Sequence, residues 1–293
     1  VFEGRAWISN QGLVDVSIEV EEGYISSVKK TNLNPNREKV DGLILPAAMD
    51  MHVHFRDPGY THKEDWKTGS ESAACGGVTA VVDMPNTNPF TSDYSQFKEK
   101  ERIAKEKSVV DFGIGINVEE NLAEQDWFET VPAAFWKLYP YGISSKDYFR
   151  LAQEVLDKTK KPLVVHCEHP DYMHNNPLEK LSDHTENRLI AEEKCLSEMP
   201  PSKYLHVAHL STSNGLRNLP SHSSTEVCPH HLLLNLDNCS SLDCKVDPPL
   251  RTISDNKTLY DAYRKGTIPI LASDHAPHTV EEKKSSTPPS GMP

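Results

Sequence analysis

The sequence predicts an α/β fold in which eight parallel strands alternate with helices in a (β/α)8, TIM-type barrel, preceded by a smaller β-rich segment. The length of 293 residues suits such a barrel, which typically needs about 250 residues. Residues 1–46 contain short alternating runs separated by turn residues. From residue 43 onward, apolar runs of strand length alternate with stretches of helical composition. These features together favour a barrel over an all-β or all-α protein.

The N-terminal segment is predicted to hold three short strands, at Val1–Ile8, Leu13–Val20 and Tyr24–Val28. Within the second strand, apolar residues recur at every second position, as in a half-exposed antiparallel strand. A hairpin of this size is too small to be stable alone, so residues 1–46 are expected to pack on something else.

The barrel strands are predicted from eight apolar runs: Leu43–Met51, Val78–Met84, Val109–Ile116, Ala133–Tyr139, Pro162–Val165, Tyr204–Ala208, Thr225–Cys228 and Ile268–Ala272. Helical composition between the runs predicts helices at Lys63–Ala74, Ser92–Lys107, Ser145–Thr159, His184–Met199 and Ser254–Lys265. A doubly wound open sheet is the alternative, but no GxGxxG motif follows the first strand. Residues 229–251 are long for a simple connection and are expected to form an excursion after the seventh strand.

Composition excludes several classes of function. The formal net charge of −12 argues against a nucleic-acid partner, because phosphate binding needs a basic surface. The sequence has neither an apolar run of membrane-spanning length nor a signal-peptide pattern at its first residues, so no membrane partner and a cytoplasmic location are expected. Six cysteines without a CxxC pair favour reduced, buried thiols, although the Cys239–Cys244 spacing is compatible with a disulfide or a metal.

Polar residues stand at the carboxyl ends of the predicted strands, where the chemistry of such barrels takes place. They are His52, His54, Lys137, His166, His209 and Asp274. A single histidine at a strand end is usually structural, and an aspartate there usually caps a helix. Agreement among several strand ends is hard to explain in this way, and it favours a metal centre. Lys137 adds to the case because a lysine inside an apolar run needs a partner.

Histidine and carboxylate ligands favour zinc, with cobalt or manganese as possible substitutes. The set exceeds what one catalytic zinc requires, so two ions are predicted. Two ions need a bridging anion, and Lys137 can supply one if CO2 carboxylates its amine.

The order HxH, Lys, His, His, Asp resembles that of the amidohydrolase superfamily. His52–Gly59 (HVHFRDPG) and Ser273–Lys283 (SDHAPHTVEEK) resemble the two signatures of the dihydroorotase family within it. Further segments that match the family are Asp83–Thr87, Cys228–Leu232 and Asp247–Arg251.

The resemblance implies a role for each of these residues. His52 and His54 would bind one metal with Asp274, and His166 and His209 would bind the other. Phe135–Tyr139 (FWKLY) is similar to the carboxylysine type of the family, in which Lys137 bridges the ions. Residues implied to bind the substrate are Arg56, Asn86 and His278, which would hold its carboxylate, and Asp247. Asp247 departs from the family, which commonly has Asn there, and it brings a negative charge near an anionic substrate.

The activity implied is that of a cyclic amide hydrolase: the reversible cyclisation of N-carbamoyl-L-aspartate to L-dihydroorotate in pyrimidine biosynthesis. Asp274 would carry the proton, the partner is a small molecule, and a homodimer is considered as the assembly. Dihydropyrimidinases and allantoinases share the ligand order, but their substrates lack the ring carboxylate that Arg56 would bind. A third hypothesis is a non-catalytic scaffold, which is disfavoured because all six candidate ligands are present.

Members of the family continue beyond the position of Pro293. They add a last barrel helix and strands that complete a small β-sandwich with the segment matching residues 1–46. The sequence is therefore expected to lack the C-terminal part of both the sandwich and the barrel, with 47–293 forming the remainder of the barrel.

Overall fold

The computed structural model describes residues 1–30 and 36–293. Residues 31–35, which belong to the expected N-terminal segment, lie outside the described part. The chain divides into two compact units, Val1–Ala48 and Met49–Pro293.

The first unit is a four-stranded mixed sheet. Its strands are β1 (Phe2–Ile8), β2 (Gly12–Glu21), β3 (Tyr24–Lys29) and β4 (Glu38–Ile44). The strand order is β3-β2-β1-β4, with β1 antiparallel to β2 and parallel to β4. Ala6, Val16 and Ile18 form its small core, the last two being separated by one residue as the alternating pattern predicts.

The second unit is the predicted barrel. Its strands are β5 (Ala48–Val53), β6 (Val78–Asp83), β7 (Asp111–Asn117), β8 (Phe135–Leu138), β9 (Leu163–Val165), β10 (Leu205–Val207), β11 (Ser224–Val227) and β12 (Ile270–Leu271). Each strand pairs with the next along the chain. A parallel bridge between Val53 and His275 links the two ends of the sheet, and His54 N lies 2.8 Å from His275 O. The predicted fold class is confirmed, and the closed sheet brings all its carboxyl ends to one rim.

Helices separate most of the strands. They are α1 (Trp66–Cys75), α2 (Tyr94–Lys107), α3 (Ser145–Lys158), α4 (Leu181–Glu186), α5 (Ala191–Glu198), α6 (Ser213–Arg217), α7 (Pro229–Leu233), α8 (Ile253–Arg264) and α9 (Val280–Lys283). In the part of the chain that the structure covers, none of them is long and apolar enough to cross a membrane.

Helix α1 packs closely on the segment that follows β5. A Cβ atom added at Gly69 would lie 2.6 Å from Cδ1 of Phe55, so only glycine permits this approach. The helix begins at Asp65, whose carboxylate accepts a hydrogen bond from Thr68 N at 2.9 Å. The contact fixes Phe55, which stands between His54 and Arg56.

Two predicted elements are wrong in their bounds. The run Leu43–Met51 is divided between β4 and β5, because Pro46 has no amide hydrogen for a strand ladder. The helix expected at His184–Met199 is two helices, α4 and α5, separated by a turn from which Arg188 reaches Glu168.

The expected excursion after the seventh strand is present and contains α7. The cysteines of the chain depart in part from the expectation of reduced, buried thiols. Cys239 and Cys244 form a disulfide with their Cα atoms 6.3 Å apart, and Cys75 is exposed. Cys167, Cys195 and Cys228 are free and buried, as expected.

Candidate metal centre

The six candidate ligands meet in one cavity of about 280 Å³ at the carboxyl-end rim of the barrel. Each comes from a strand or from the residues just after one: His52 from β5, Lys137 from β8 and Asp274 from the segment after β12. The cavity wall also contains Arg56 and Asp247. Sequence positions more than 200 apart are therefore neighbours, as the closed sheet requires.

His52, His54 and Asp274 form the tightest group. Oδ1 of Asp274 lies 3.0 Å from Nε2 of His54 and 3.2 Å from Nε2 of His52. Burial opposes ionisation of this carboxyl, but the two histidines hold its pKa well below the usual range. Three donor atoms within 4.8 Å of one another, all buried, make a set that fits a divalent metal.

His166 and His209 lie beside this group. Their ring centroids are 4.5 Å apart, and the His209 ring is 5.2 Å from that of His52. Nδ1 of His209 is buried and has no hydrogen-bond partner within residues 1–30 and 36–293. Burial lowers the pKa of His209 well below its ordinary value, so the ring is neutral and able to donate a lone pair to a metal.

Lys137 is fully buried, and its Nζ has no hydrogen-bond partner in the described part of the chain. Burial lowers its pKa to about 8, although Glu226 and Asp274 oppose the shift. A buried amine without a partner is costly in free energy. Addition of CO2 would replace that amine by an anion facing both histidine groups, and the residues present therefore fit a bridged pair of ions.

Hydrogen-bond partners orient three of the histidine rings. Nδ1 of His52 lies 2.5 Å from Glu226, and Nε2 of His166 lies 2.8 Å from Glu168. Nδ1 of His54 lies 2.6 Å from Oδ1 of Asn86. Each bond occupies one ring nitrogen and leaves the other for a metal, the usual arrangement around metal-binding histidines.

The sequence reasoning missed Glu226 and Glu168. Glu226 stands inside the apolar run Thr225–Cys228, and it is as buried as Lys137. The argument applied to Lys137, that a charge in a buried strand needs a partner, could have found it. Glu168 lies two residues after His166 and also accepts a bond from Arg188 at 2.6 Å.

Three residues of the site adopt left-handed backbone conformations that are unusual for non-glycine residues. The φ angles are 60° at Arg56, 38° at His209 and 50° at Asp274. Such angles cost about 1–3 kcal/mol each and are found where the surrounding structure imposes them, often at functional sites. They turn the chain sharply at the strand ends that carry the site.

Arg56 is buried and lies on the cavity wall. Its Nε donates to the carbonyl of Pro277 at 3.2 Å, and its Nη2 lies 3.2 Å from Nε2 of His278. His278 lies behind the guanidinium, in contact with Lys63 and with the carbonyl of Ser290. Arg56 therefore lines the cavity, and His278 contacts its guanidinium.

Asp247 also lies on the wall, and its charge is balanced. Its Oδ1 lies 2.8 Å from Nε2 of His184 and 3.4 Å from Nη1 of Arg188. The hydroxyl of Tyr141 donates to Oδ2 at 3.2 Å. Burial opposes ionisation, yet His184 and Arg188 hold the pKa of Asp247 below its ordinary value. The extra negative charge therefore has the guanidinium of Arg188 beside it and the ring of His184 within hydrogen-bond distance.

The wall includes further residues that the sequence did not indicate. Tyr139 places a buried hydroxyl there that has no partner in the described structure, and burial raises its pKa, so it remains a neutral donor. Ser290 and Gly291 reach the cavity from the segment that follows α9. Lys283 anchors this segment through the carbonyls of Lys245, Pro289 and Gly291 at 3.3, 3.1 and 2.9 Å.

The sequence matches the model of the amidohydrolase family over residues 43–285. A curated dihydroorotase of Methanosphaera stadtmanae is 36% identical over 303 residues, covering 93% of this chain and 69% of that protein. A dihydroorotase of Pyrococcus abyssi is 36% identical, covering 95% of this chain and 68% of the relative. The chain spans about two thirds of the length of these relatives.

Solved structures of related enzymes share the fold. An L-hydantoinase (dihydropyrimidinase) from Arthrobacter aurescens superimposes with a TM-score of 0.81 and 22% identity, covering 98% of this chain and 71% of that one. A dihydropyrimidinase from Brevibacillus agri gives a TM-score of 0.80 and 20% identity, over 99% of this chain and 72% of the other. At this identity the likeness concerns the fold alone.

Proposed function

Because this chain belongs to the amidohydrolase family, and within it to the dihydroorotases, we propose that it catalyses the reversible cyclisation of N-carbamoyl-L-aspartate to L-dihydroorotate with loss of water. The reaction is a step of pyrimidine biosynthesis. The proposal extends to a small-molecule substrate, a cytoplasmic location and a homodimer as the assembly to be tested.

The main observation in support of the proposal is that Arg56 lines the same cavity as the candidate ligands. A guanidinium forms two parallel hydrogen bonds with a carboxylate, and dihydroorotate has one such group on its ring. Asn86 turns its carbonyl oxygen to His54, which leaves its amide nitrogen to donate to the substrate. His278, whose Nε2 lies 3.2 Å from Nη2 of Arg56, would help to orient the guanidinium.

We propose that two zinc ions bind here, with cobalt or manganese able to replace them. His52, His54 and Asp274 would hold one ion, His166 and His209 the other, and carboxylated Lys137 both. When bound, such ions supply Lewis acidity toward water and toward an amide carbonyl. The unpartnered Lys137 amine and the short contacts of Asp274 support this assignment.

Asp274 is the group placed to move a proton. In hydrolysis its carboxylate accepts the proton of the attacking water and then delivers it to the ring nitrogen that leaves. His52 and His54 keep this carboxylate ionised, so it is ready to act as a base. Balanced by His184 and Arg188, Asp247 would contact the substrate ring without adding an uncompensated charge to the site.

A dihydropyrimidinase-like or allantoinase-like activity is the alternative, favoured by the shared ligand order and the fold of the structural neighbours. Arg56 argues against it, because those substrates offer no ring carboxylate to a buried guanidinium. A scaffold without catalysis is disfavoured by the complete ligand set.

The direct test is the reaction in both directions with the full chain. We expect L-dihydroorotate to form from N-carbamoyl-L-aspartate at mildly acidic pH, and the reverse at alkaline pH. A chelator should stop both, and added zinc should restore them. Metal-loaded protein that turns over neither compound would refute the proposal.

A further inference from the structure

A second group of metal-type side chains lies at the beginning of α7. Cys228 directly follows β11, and His230 and His231 stand in the first turn of the helix. One ligand atom from each lies within 4.8 Å of the others, and all three residues are buried. The group shares no residue with the six ligands described above.

Two nitrogens in this group have no partner. Nε2 of His231 lies 3.0 Å from the carbonyl of Pro248 and therefore carries the hydrogen, which leaves a lone pair on Nδ1. That Nδ1 and Nε2 of His230 are buried, and neither finds a hydrogen-bond partner in the described residues. A buried polar group without a partner is costly in free energy, so a ligand at this point would recover that loss.

The ring environment suits metal binding. The two ring centroids are 4.4 Å apart, and one nitrogen of each ring lies within 4.8 Å of the Cys228 sulfur. Burial lowers the pKa of both histidines, which keeps them in the neutral form that donates a lone pair. A sulfur and two imidazoles form the ligand set that zinc prefers over magnesium or calcium.

We propose that Cys228, His230 and His231 bind a third metal ion of the zinc class, separate from the proposed two-metal centre. Binding forms one metal–sulfur bond and two metal–nitrogen bonds. Burial raises the pKa of the Cys228 thiol, so the metal itself must displace the thiol proton, which passes to solvent. The fourth position is left for water. The ion would fasten α7 and the excursion over residues 229–251 to the end of β11, the strand that neighbours β12.

Cobalt substitution tests the proposal without reference to turnover. Thiolate bound to Co²⁺ gives an intense charge-transfer band in the near ultraviolet, whereas imidazole and carboxylate ligands do not. The proposed two-metal centre contains no cysteine, so its own ligands do not produce the band, and cysteine variants identify the thiol that does. We expect the metal-free full chain, titrated with Co²⁺ in the absence of added thiol, to bind three equivalents and to develop this band.

Three cysteine variants locate the ligand. Cys228→Ser should remove the band and one equivalent of metal. Cys195→Ser, which alters a buried thiol in α5, should leave both unchanged. Cys167→Ser tests the buried thiol beside His166 and should also leave the band. A band that survives Cys228→Ser but disappears in Cys167→Ser overturns the assignment.

The cobalt titration of the unmodified chain tests the third site even if a variant misfolds. Two equivalents of cobalt and no charge-transfer band would overturn the third site while leaving the proposed function intact. A band and three equivalents in a protein that turns over neither substrate would support the site and count against the proposed function instead.

Discussion

Each of three histidines in this centre is oriented by a hydrogen bond to a neighbouring side chain. His52 is held by Glu226, His54 by Asn86 and His166 by Glu168, so each ring presents one chosen nitrogen to the cavity. Asp274 is held by two of these rings. A change at an orienting residue should therefore affect the metal through the ring it orients.

Asp274 gives the first residue-scale prediction. Asp274→Asn keeps a metal-binding oxygen of nearly the same shape but cannot accept a proton. We expect the variant, measured at matched metal content, to lose about 10²–10⁴-fold in kcat for dihydroorotate hydrolysis. Metal content by mass spectrometry is the control. Full metal loading together with near-normal turnover would contradict the role given to Asp274.

Lys137 gives the second residue-scale prediction, which concerns its carboxylation by CO2. We expect protein exchanged into ¹³C-bicarbonate with zinc to show a carbamate signal by NMR, and Lys137→Gln to lose that signal along with at least one equivalent of metal. The physical reason is that a neutral buried amine reacts with CO2, whereas a side-chain amide does not. Lys161→Gln, at a partly exposed lysine, is the matched control and should retain both. Two tightly bound ions without any carbamate would exclude the bridge.

The candidate ligands could be predicted from the sequence because a residue's position along a strand determines at which end of the barrel its side chain lies. His52, His54, Lys137, His166, His209 and Asp274 were all found at strand ends, and all line one cavity. Glu226 could have been found as a charge in a buried strand, but the ring that it orients, His52, follows only from tertiary contacts. Glu168 stands two residues after His166 and gave no signal of its own in the sequence. The positions of Arg56 and His278, one behind the other, likewise follow from tertiary contacts alone.

At the scale of elements, a buried ion pair joins α2 to the segment that carries the site. Nζ of Lys100 lies 2.5 Å from Oδ2 of Asp83 at the end of β6, and both side chains are fully buried. The same amine donates to Met84 O at 2.7 Å, and Oδ1 of Asp83 accepts from Phe55 N at 2.7 Å. The helix, the strand end and the loop between His54 and Arg56 are thus tied at one point.

Removing one partner of this pair should be costly, because it leaves an uncompensated buried charge. We expect Lys100→Met to lower the free energy of unfolding by about 3–5 kcal/mol in urea titrations. Lys105→Met, which breaks the exposed pair with Glu101, is the control and should cost under about 1 kcal/mol. Adding Asp83→Asn to Lys100→Met should recover part of the loss. Equal losses from the two lysine variants would show that α2 is not anchored in this way.

Element types followed from the sequence more reliably than element bounds. Each of the eight barrel strands overlaps a predicted apolar run, because strands of a parallel sheet are largely buried and rich in apolar residues. The division of 184–199 into α4 and α5 was not visible, because it depends on Arg188 reaching across to Glu168. The Cys239–Cys244 disulfide was one of the options that spacing allowed, and folding of the excursion decides it.

At the scale of the whole molecule, burial of the histidines makes stability depend on pH. Burial lowers the pKa of His54 to about 4, against the opposing effect of Asp274. Burial also lowers the pKa of His209, further helped by the charge of His166. The unfolded chain, in which histidine titrates at about pH 6.5, therefore binds more protons than the folded chain below that pH.

We expect the metal-free chain to lose stability as the pH falls from about 6.5 toward 4, with His54 alone accounting for about 3 kcal/mol. The pKa of Glu226 is lowered by His52 and His206, and that of Asp247 by His184 and Arg188, in both cases against the effect of burial. These two carboxyl groups therefore add a further loss of stability below about pH 4. Urea unfolding of the chelated protein across this range is the measurement. His62→Gln, at an exposed histidine, should leave the curve unchanged, and a stability that stays level between pH 7 and pH 5 would contradict the explanation.

The central claim is that this barrel carries a two-metal site whose Arg56 selects a cyclic amide with a ring carboxylate. Its most direct test is kcat/KM for dihydroorotate, dihydrouracil and allantoin, measured for the metal-loaded chain and for Arg56→Gln. We predict that the unmodified chain prefers dihydroorotate, and that Arg56→Gln loses at least about 30-fold on dihydroorotate, because an unpaired buried carboxylate costs about 2–5 kcal/mol. Turnover of dihydrouracil or allantoin without turnover of dihydroorotate would contradict the claim.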